Sequence, residues 1–437
     1  MLKIDLLVHA KWVLPMNKVA ACLPNHSVAV SRGKIIDILP TQVANKQYSA
    51  NTYVSKPEHV LMPGFINCHT HTPMTLLRGL ADDLPLMEWL EKNIWPTEQA
   101  WLGPEFAYDG ARLAIAEMIK SGTTCFQEMY FFPEKIAQAI CSTGIRARNS
   151  MHIMDIKNAW GNNGIENIEK SLALYKANQH NPLMRFSLTP HSVYTVNDNT
   201  LKATRDVADE YNLPIQIHCQ ESQAEISTSL AKHGARPLAH LQQLNFLSSN
   251  VMLVHMTQVN NDDIAILKET GAHVIHCPES NMKLASGYCP ITRLQSAGIN
   301  VALGTDSACS NNNLNMMSEI RSAALLAKLM ASDAEALPAY QALELATTHA
   351  AKAMQWDDEI GQLDIGFSAD MITIDMSSLA TQPIYHPVSQ LVYAASREQV
   401  RDVWVAGKRL LDNGKLMTID EQALKDTTTA WQKKISA

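Results

Sequence analysis

Along the middle of the chain one unit recurs: a short run rich in β-branched or apolar residues, a polar turn, then a longer segment with apolar positions three to four apart. Eight such runs read as strands. They are Pro63–His71 (PGFINCHTH), Thr123–Met129 (TTCFQEM), Gly144–Met154 (GIRARNSMHIM), Met184–His191 (MRFSLTPH), Pro214–Glu221 (PIQIHCQE), Val251–Thr257 (VMLVHMT), Ala272–Pro278 (AHVIHCP) and Ile299–Asp306 (INVALGTD). Between them, PEFAYDGARLAIAEMIKSG shows the helical half of the unit, with Pro104 and Glu105 in its first turn and Gly122 just past its end. Strands alternating with helices predict parallel β-α-β units, and eight of them in one barrel-sized span predict a closed (β/α)8 barrel rather than an open doubly wound sheet.

The two ends of the chain are patterned differently. VAVSRGKIIDIL alternates around a polar turn at Ser31–Lys34, and SADMITIDM and VRDVWVAGKRLLDNGKLM do the same near the other end, with a turn at Gly407-Lys408. Neither end is long enough to bury a good core alone, so the two are expected to pair into one small sheet domain.

Composition narrows the partners. Over 437 residues, 46% hydrophobic and 18% charged, there is ample chain for a large core, and a net charge of -7 gives no support to nucleic acid or an anionic membrane as partner. Apolar runs fall short of the roughly 20 residues a membrane-spanning helix needs. Lys3 and Asp5 interrupt the stretch where an export signal would be apolar. Eight cysteines without a C-x-x-C pair read as small buried hydrophobes in a reducing compartment, so a soluble, cytoplasmic protein is expected.

In a barrel, chemistry sits at the C-terminal ends of the strands, which turns attention to the polar residues that end these runs. The first ends in His69 and His71, two apart and so on one face of a strand. The fourth ends in His191, the fifth in His218 and Glu221, the sixth in His255 and the eighth in Asp306. One histidine among 16 is more often a surface or core residue than a ligand, and His233, His240 and His273 are given no role. Asp306 alone could be a helix cap, and Glu221 alone could open a helix. Their shared place at one end of successive strands is what those readings leave unexplained. Together His69, His71, His218 and Asp306 form a nitrogen- and oxygen-rich set suited to zinc, with iron(II) as the other candidate. A metal so held lowers the pKa of bound water towards ~7, which points to hydrolysis. The fourth run offers no lysine or acidic residue to bridge a second ion, so one metal per subunit is expected.

The motifs PGFINCHTH, HCQE, LVHM, HCPESN and LGTDS together resemble those of the amidohydrolase superfamily, in the branch that holds adenosine-type and triazine-type deaminases and chlorohydrolases. The resemblance runs over essentially the whole chain. It implies a distorted (β/α)8 TIM barrel, here residues 61–364, and a β-sandwich domain built from residues 1–60 and 365–437. It also implies that His69, His71, His218 and Asp306 hold the metal, that His255 and Asp306 align the attacking water and take its proton, and that Glu221 protonates the ring nitrogen and then the departing amine.

Within that branch, LMEWLEKNIWPTE is similar to the 5-methylthioadenosine/S-adenosylhomocysteine deaminases. By this likeness Glu98 accepts the ribose hydroxyls, His191 and Arg148 contact the nucleoside, and Trp89 lies against its alkylthio side. Arg146, two positions before Arg148, is the alternative for the arginine contact. The expected substrate is an adenosine-type thionucleoside that is deaminated to its inosine analogue. Two other readings stand beside it: hydrolysis of another ring such as guanine or a triazine, and a non-catalytic scaffold barrel, which the intact set of site residues disfavours. The resemblance leaves room for a homo-oligomer, with the Met and Trp residues near Trp95 as a contact surface.

Overall fold

The computed structural model describes residues 1–17 and 22–436. Two eight-stranded sheets organise it. The first takes β1 (Leu2–Val13), β2 (Leu23–Ser31), β3 (Lys34–Pro40) and β4 (Tyr48–Pro63) from the start of the chain. The second is built from β5 (Phe65–Thr70), β6 (Thr123–Glu128), β7 (Arg146–Ile153), β8 (Met184–Pro190), β9 (Ile215–Cys219), β10 (Val251–His255), β11 (His273–His276) and β12 (Val301–Leu303). The end of the chain returns to the first sheet with β13 (Met371–Asp375), β14 (Val400–Val405), β15 (Lys408–Asp412) and β16 (Lys415–Leu416).

The second sheet is the expected barrel. Its strands lie in chain order, all parallel, and each falls within one of the eight runs read from the sequence. Nearly every residue in them is buried, because helices cover one face and barrel-filling side chains the other. Ile66, Cys68, Cys125, Met252, Val254, Ile275 and Ala302 form a core cluster that Ala350, Met354 and Trp356 complete.

Between β12 and β5 the seam is closed by individual contacts. Asn67 Nδ2 donates to Thr305 Oγ1 at 2.8 Å, Asn67 Oδ1 accepts the Thr305 N–H at 3.0 Å, and the Asp306 N–H donates to the His69 carbonyl at 3.0 Å. Gly304 makes this approach feasible: a Cβ on it would lie 2.7 Å from His69 Cβ.

The sheet made from both termini is ordered β16-β15-β14-β13-β4-β1-β2-β3, so β4 joins the halves, parallel to β1 on one side and antiparallel to β13 on the other. The first expected hairpin turn is present, and the second lies one residue earlier than Gly407-Lys408, because Lys408 already opens β15. Arg32 (φ +49°) and Gly33 (φ +75°) turn β2 into β3, and Ala406 (φ +47°) and Gly407 (φ +73°) turn β14 into β15, the paired left-handed residues of type I′ turns. The two tips abut. Ala369 donates its N–H to Gly33 and accepts that of Gly407, and a Cβ on Gly33 would lie 2.7 Å from the Ala406 carbonyl oxygen.

The C-terminal part is less purely β than its alternation predicts. Its last helix, Glu421–Ile435, lies on the barrel helix Pro104–Lys120, where Trp431 Nε1 donates to Asp109 Oδ2 at 2.9 Å and the indole meets Phe106 edge-on at 5.5 Å. Among the described residues, no helix is long and apolar enough to cross a membrane.

Candidate metal centre

The ends of the barrel strands bring His69, His71, His218, His255, Glu221 and Asp306 together. His69 is the fifth residue of β5 and His71 lies just beyond its end, so the chain has left the strand before the second histidine. Even so, the two rings meet edge-on at 4.7 Å. His218 is in β9, 4.8 Å from His69 ring to ring, and His255 closes β10 with its ring 5.4 Å from that of His218. Asp306 and His255 both adopt left-handed backbone angles, φ +62° and +76°, at the ends of their strands. Non-glycine residues there are uncommon and cost roughly 1–3 kcal/mol each, a cost that concentrates at functional sites.

The hydrogen bonds of the rings decide what the cluster can hold. His69 Nδ1 donates to Gln216 Oε1 at 2.9 Å, His71 Nδ1 to the Met129 carbonyl at 2.6 Å, and His218 Nδ1 to the His191 carbonyl at 2.7 Å. Each ring therefore turns a bare Nε2 lone pair inward. His69 Nε2 and His218 Nε2 stand 3.1 Å apart, and Asp306 Oδ1 lies 3.4 Å from His69 Nε2 and 3.3 Å from His71 Nε2. Lone pairs and a carboxylate converging in a buried site repel one another unless a cation lies among them. The donor set fits a divalent metal held by His69, His71, His218 and Asp306. Asp306 is buried, and its carboxylate faces the His69 and His71 nitrogens directly. Its remaining acceptor sites take the Ser280 hydroxyl at 2.6 Å, the Ser310 hydroxyl at 2.9 Å and the Ser307 N–H at 2.7 Å.

Glu221 and His255 lie beside the metal ligands. Glu221 Oε2 is 3.7 Å from His255 Nε2, and Glu221 Oε1 accepts from the Ser286 hydroxyl at 3.2 Å. His255 Nδ1 donates to Asn281 Oδ1 at 2.9 Å, which leaves its Nε2 as the proton acceptor. Glu221 also borders an apolar recess of about 150 Å³ with Leu86, Met87 and Tyr194. Burial, and then the negative charge of Asp306, push its carboxyl up to about 8.

The residues expected at a substrate divide. His191 is at the centre, its ring 4.8 Å from His218. Glu98, in the helix Trp95–Trp101, accepts a short hydrogen bond from the Tyr130 hydroxyl, and Tyr130 in turn lies 6.4 Å from the His71 ring. Trp89 is buried in the apolar core, and its Nε1 donates to the Ala81 carbonyl at 3.0 Å.

The expectation for Arg148 meets a different placement. It is the third residue of β7, away from the strand's C-terminal end. Its guanidinium donates to the carbonyls of Phe186 and Met354 and lies 5.8 Å from the Trp356 ring. Arg146, the alternative, opens β7 and is paired with Asp370 at 2.7 Å beside the terminal sheet. Alternation puts both on one face of the strand, and both lie in its N-terminal part, away from the mouth. The β7 residue next to the centre is His152, near its end, 4.3 Å from the Phe131 ring and 6.2 Å from that of His191. It is buried, and both of its ring nitrogens lack a hydrogen-bond partner.

The supporting residues went unread in the sequence. Gln216 was visible in principle, two positions before His218 on the same strand face. Glu128 ends β6 and accepts from the Thr72 N–H and hydroxyl, which fixes the turn after His71. Glu225 accepts the Glu221 N–H at 2.8 Å. Asn281, although it ends the HCPESN motif, was given no role, and Tyr130 had no spacing signal to reveal it.

Three comparisons with known proteins give the family and the fold. The model of the amidohydrolase family matches residues 60–410. A 5-methylthioadenosine/S-adenosylhomocysteine deaminase of Teredinibacter turnerae is 44% identical over 434 residues, 99% of this chain and 98% of that one. A 5'-deoxyadenosine deaminase of Methanopyrus kandleri is 41% identical over 86% of this chain and 87% of its own. The crystal structure of an adenosine deaminase from Xanthomonas campestris with bound zinc superposes with a TM-score of 0.98 at 45% identity, covering 99% of each chain. An atrazine chlorohydrolase from Arthrobacter aurescens, 20% identical with a TM-score of 0.90 over 98% of this chain and 99% of its own, shares the fold.

Proposed function

The chain belongs to the amidohydrolase family, and on that premise we propose that it is a zinc-dependent deaminase converting 5-methylthioadenosine, S-adenosylhomocysteine or both to the inosine analogue and ammonia. The observation that carries this reading is the convergence of the His69 and His71 Nε2 atoms on Asp306, with His218 Nε2 3.1 Å from His69 Nε2 and with Glu221 and His255 beside them. The relatives named above supply the substrate class.

A zinc ion held by His69, His71, His218 and Asp306 would supply a water acidified to near neutral pH as nucleophile. The chain's own residues manage the protons. His255, fixed by Asn281, takes one at Nε2. Glu221, protonated up to about 8, donates its proton to the ring nitrogen next to the carbon under attack and later passes one to the departing amine. Addition to the ring builds negative charge on that nitrogen, so the donated proton favours the transition state over the ground state.

Glu98, braced by Tyr130, accepts the two ribose hydroxyls. His191 contacts the nucleoside, and Trp89 walls the alkylthio side. His152, rather than Arg148, is the β7 residue we set against the substrate, because its ring nitrogens are unspent while the arginine is committed to backbone carbonyls. All eight cysteines are unpaired, which supports a cytoplasmic setting. Subunit association near the half-buried Trp95 is part of the same reading and is checked by sedimentation.

The deciding experiment measures ammonia release from metal-analysed protein across methylthioadenosine, S-adenosylhomocysteine, adenosine, guanine and aminated triazines. Turnover of guanine or triazines with none of the adenosine-type nucleosides would overturn the proposal.

A further inference from the structure

On the outside of the barrel three helices that follow β8 and β9 converge. Asp198 opens the helix Asp198–Tyr211, His233 closes Gln223–His233, and His240 lies in Pro237–Gln243. The imidazoles of His233 and His240 stack at 3.8 Å with 26° between their planes, and His240 Nε2 is 2.9 Å from Asp198 Oδ1. One ligand atom from each of the three side chains lies within 4.8 Å of the other two. None of these residues belongs to the deaminase machinery.

We propose that Asp198, His233 and His240 form a second, peripheral site for a divalent transition ion such as zinc, nickel or copper(II). Two imidazoles and one carboxylate select borderline ions of this class over calcium or magnesium, which prefer all-oxygen shells. The site is reachable: the Asp198 side chain is 43% exposed, whereas that of His240 is 7% exposed and so held in place by packing. Three protein ligands leave the remaining positions to water, so the ion exchanges more readily than one held by four protein ligands.

The placement gives the ion a structural role. The helix that ends at His233 begins two residues after Glu221, and its first turn carries Glu225, whose carboxylate accepts the Glu221 N–H at 2.8 Å. An ion bridging His233 to the neighbouring helices fixes the far end of the segment that supports Glu221. Binding to the folded chain alone then raises its thermal stability by mass action.

The test is zinc titration of enzyme that already carries its catalytic metal, followed by calorimetry, metal analysis and thermal melting. The expected result is a second ion per subunit and a rise in Tm. His233→Ala and Asp198→Asn should each weaken the second event by at least ~10-fold, since loss even of an outer partner of a metal costs ~10–100-fold in affinity. Turnover with the catalytic metal in place should stay at the wild-type level in both. Copper(II) bound to this site should show nitrogen hyperfine coupling in its EPR spectrum, lost in His233→Ala. One ion per subunit throughout the titration, or a second ion held equally well by folded His233→Ala and Asp198→Asn proteins, would overturn the proposal and leave the deaminase assignment untouched.

Discussion

The backbone N–H of Asp306 donates to the carbonyl of His69 at 3.0 Å, tying the last barrel strand to the first at two residues whose side chains also face each other across the metal centre. Closing the barrel and shaping the ligand set are thus one structural event. Gly304 permits it, with no room for a Cβ against His69. Gly304→Ala is expected to destabilise the fold by ~1–3 kcal/mol through overpacking, and to lower metal content per subunit. Thermal melting and metal analysis check this; a variant with native Tm and full metal would show that the seam tolerates spreading.

Glu221→Gln should keep its metal, because the carboxyl is not among the ligands, and lose ~10²–10⁴ in kcat as a proton donor is removed. The acid form is the working one. With its pKa raised to about 8 by burial and the Asp306 charge, Glu221 is protonated below that pH and loses its proton above it, so wild-type kcat should fall as pH rises through about 8. A Gln variant with full turnover, or a wild-type profile flat across that range, would remove Glu221 from this role.

Glu98 and Tyr130 should act on substrate choice more than on chemistry. Glu98→Gln weakens acceptance of the ribose hydroxyls, and Tyr130→Phe loosens the carboxylate that makes it. The preference for methylthioadenosine over its 2',3'-dideoxy analogue is expected to shrink by ~10-fold or more in Glu98→Gln, since a site built for hydroxyls penalises their loss. An unchanged ratio of kcat/KM values would place the diol elsewhere.

Arg148 and His152 make opposite predictions from one strand. Burial, with the charge of Arg185 nearby, lowers the Arg148 pKa to about 9, and its fork is occupied by Phe186 and Met354. Arg148→Met should destabilise by ~1–3 kcal/mol through the carbonyls left unpaired and leave KM unchanged. His152→Leu should raise KM by ~5–10-fold, the value of one lost hydrogen bond. Steady-state kinetics on both variants, with Tm measured alongside, separates the roles; the reverse pattern would restore the arginine to the substrate.

These two residues also mark the limit of what the sequence disclosed. Strand number, order and fold class were readable because β-branched runs, polar turns and helical periodicity repeat along the chain. The metal set was readable for a related reason: His69, His218 and Asp306 each come at the end of such a run. Periodicity assigns faces, however, and says nothing of height along a strand, which is why Arg146 and Arg148 could not be ranked and His152, nearer the strand's C-terminal end, was passed over. Partners brought in from distant segments, such as Tyr130 for Glu98, leave no local pattern. The helix Glu421–Ile435 was missed because the alternating runs before it suggested that the terminal sheet used the whole C-terminal part.

The sheet shared by both ends of the chain sets an order for synthesis. β4 pairs with β1 soon after both are made, but its other edge waits for β13, about 300 residues later, or some ~15–60 s at translation rates of 5–20 residues per second. During that interval Val60, Leu61 and Met62 lie along an open strand edge that any passing strand could extend. The nascent chain therefore carries an open strand edge just ahead of the barrel as well as within it.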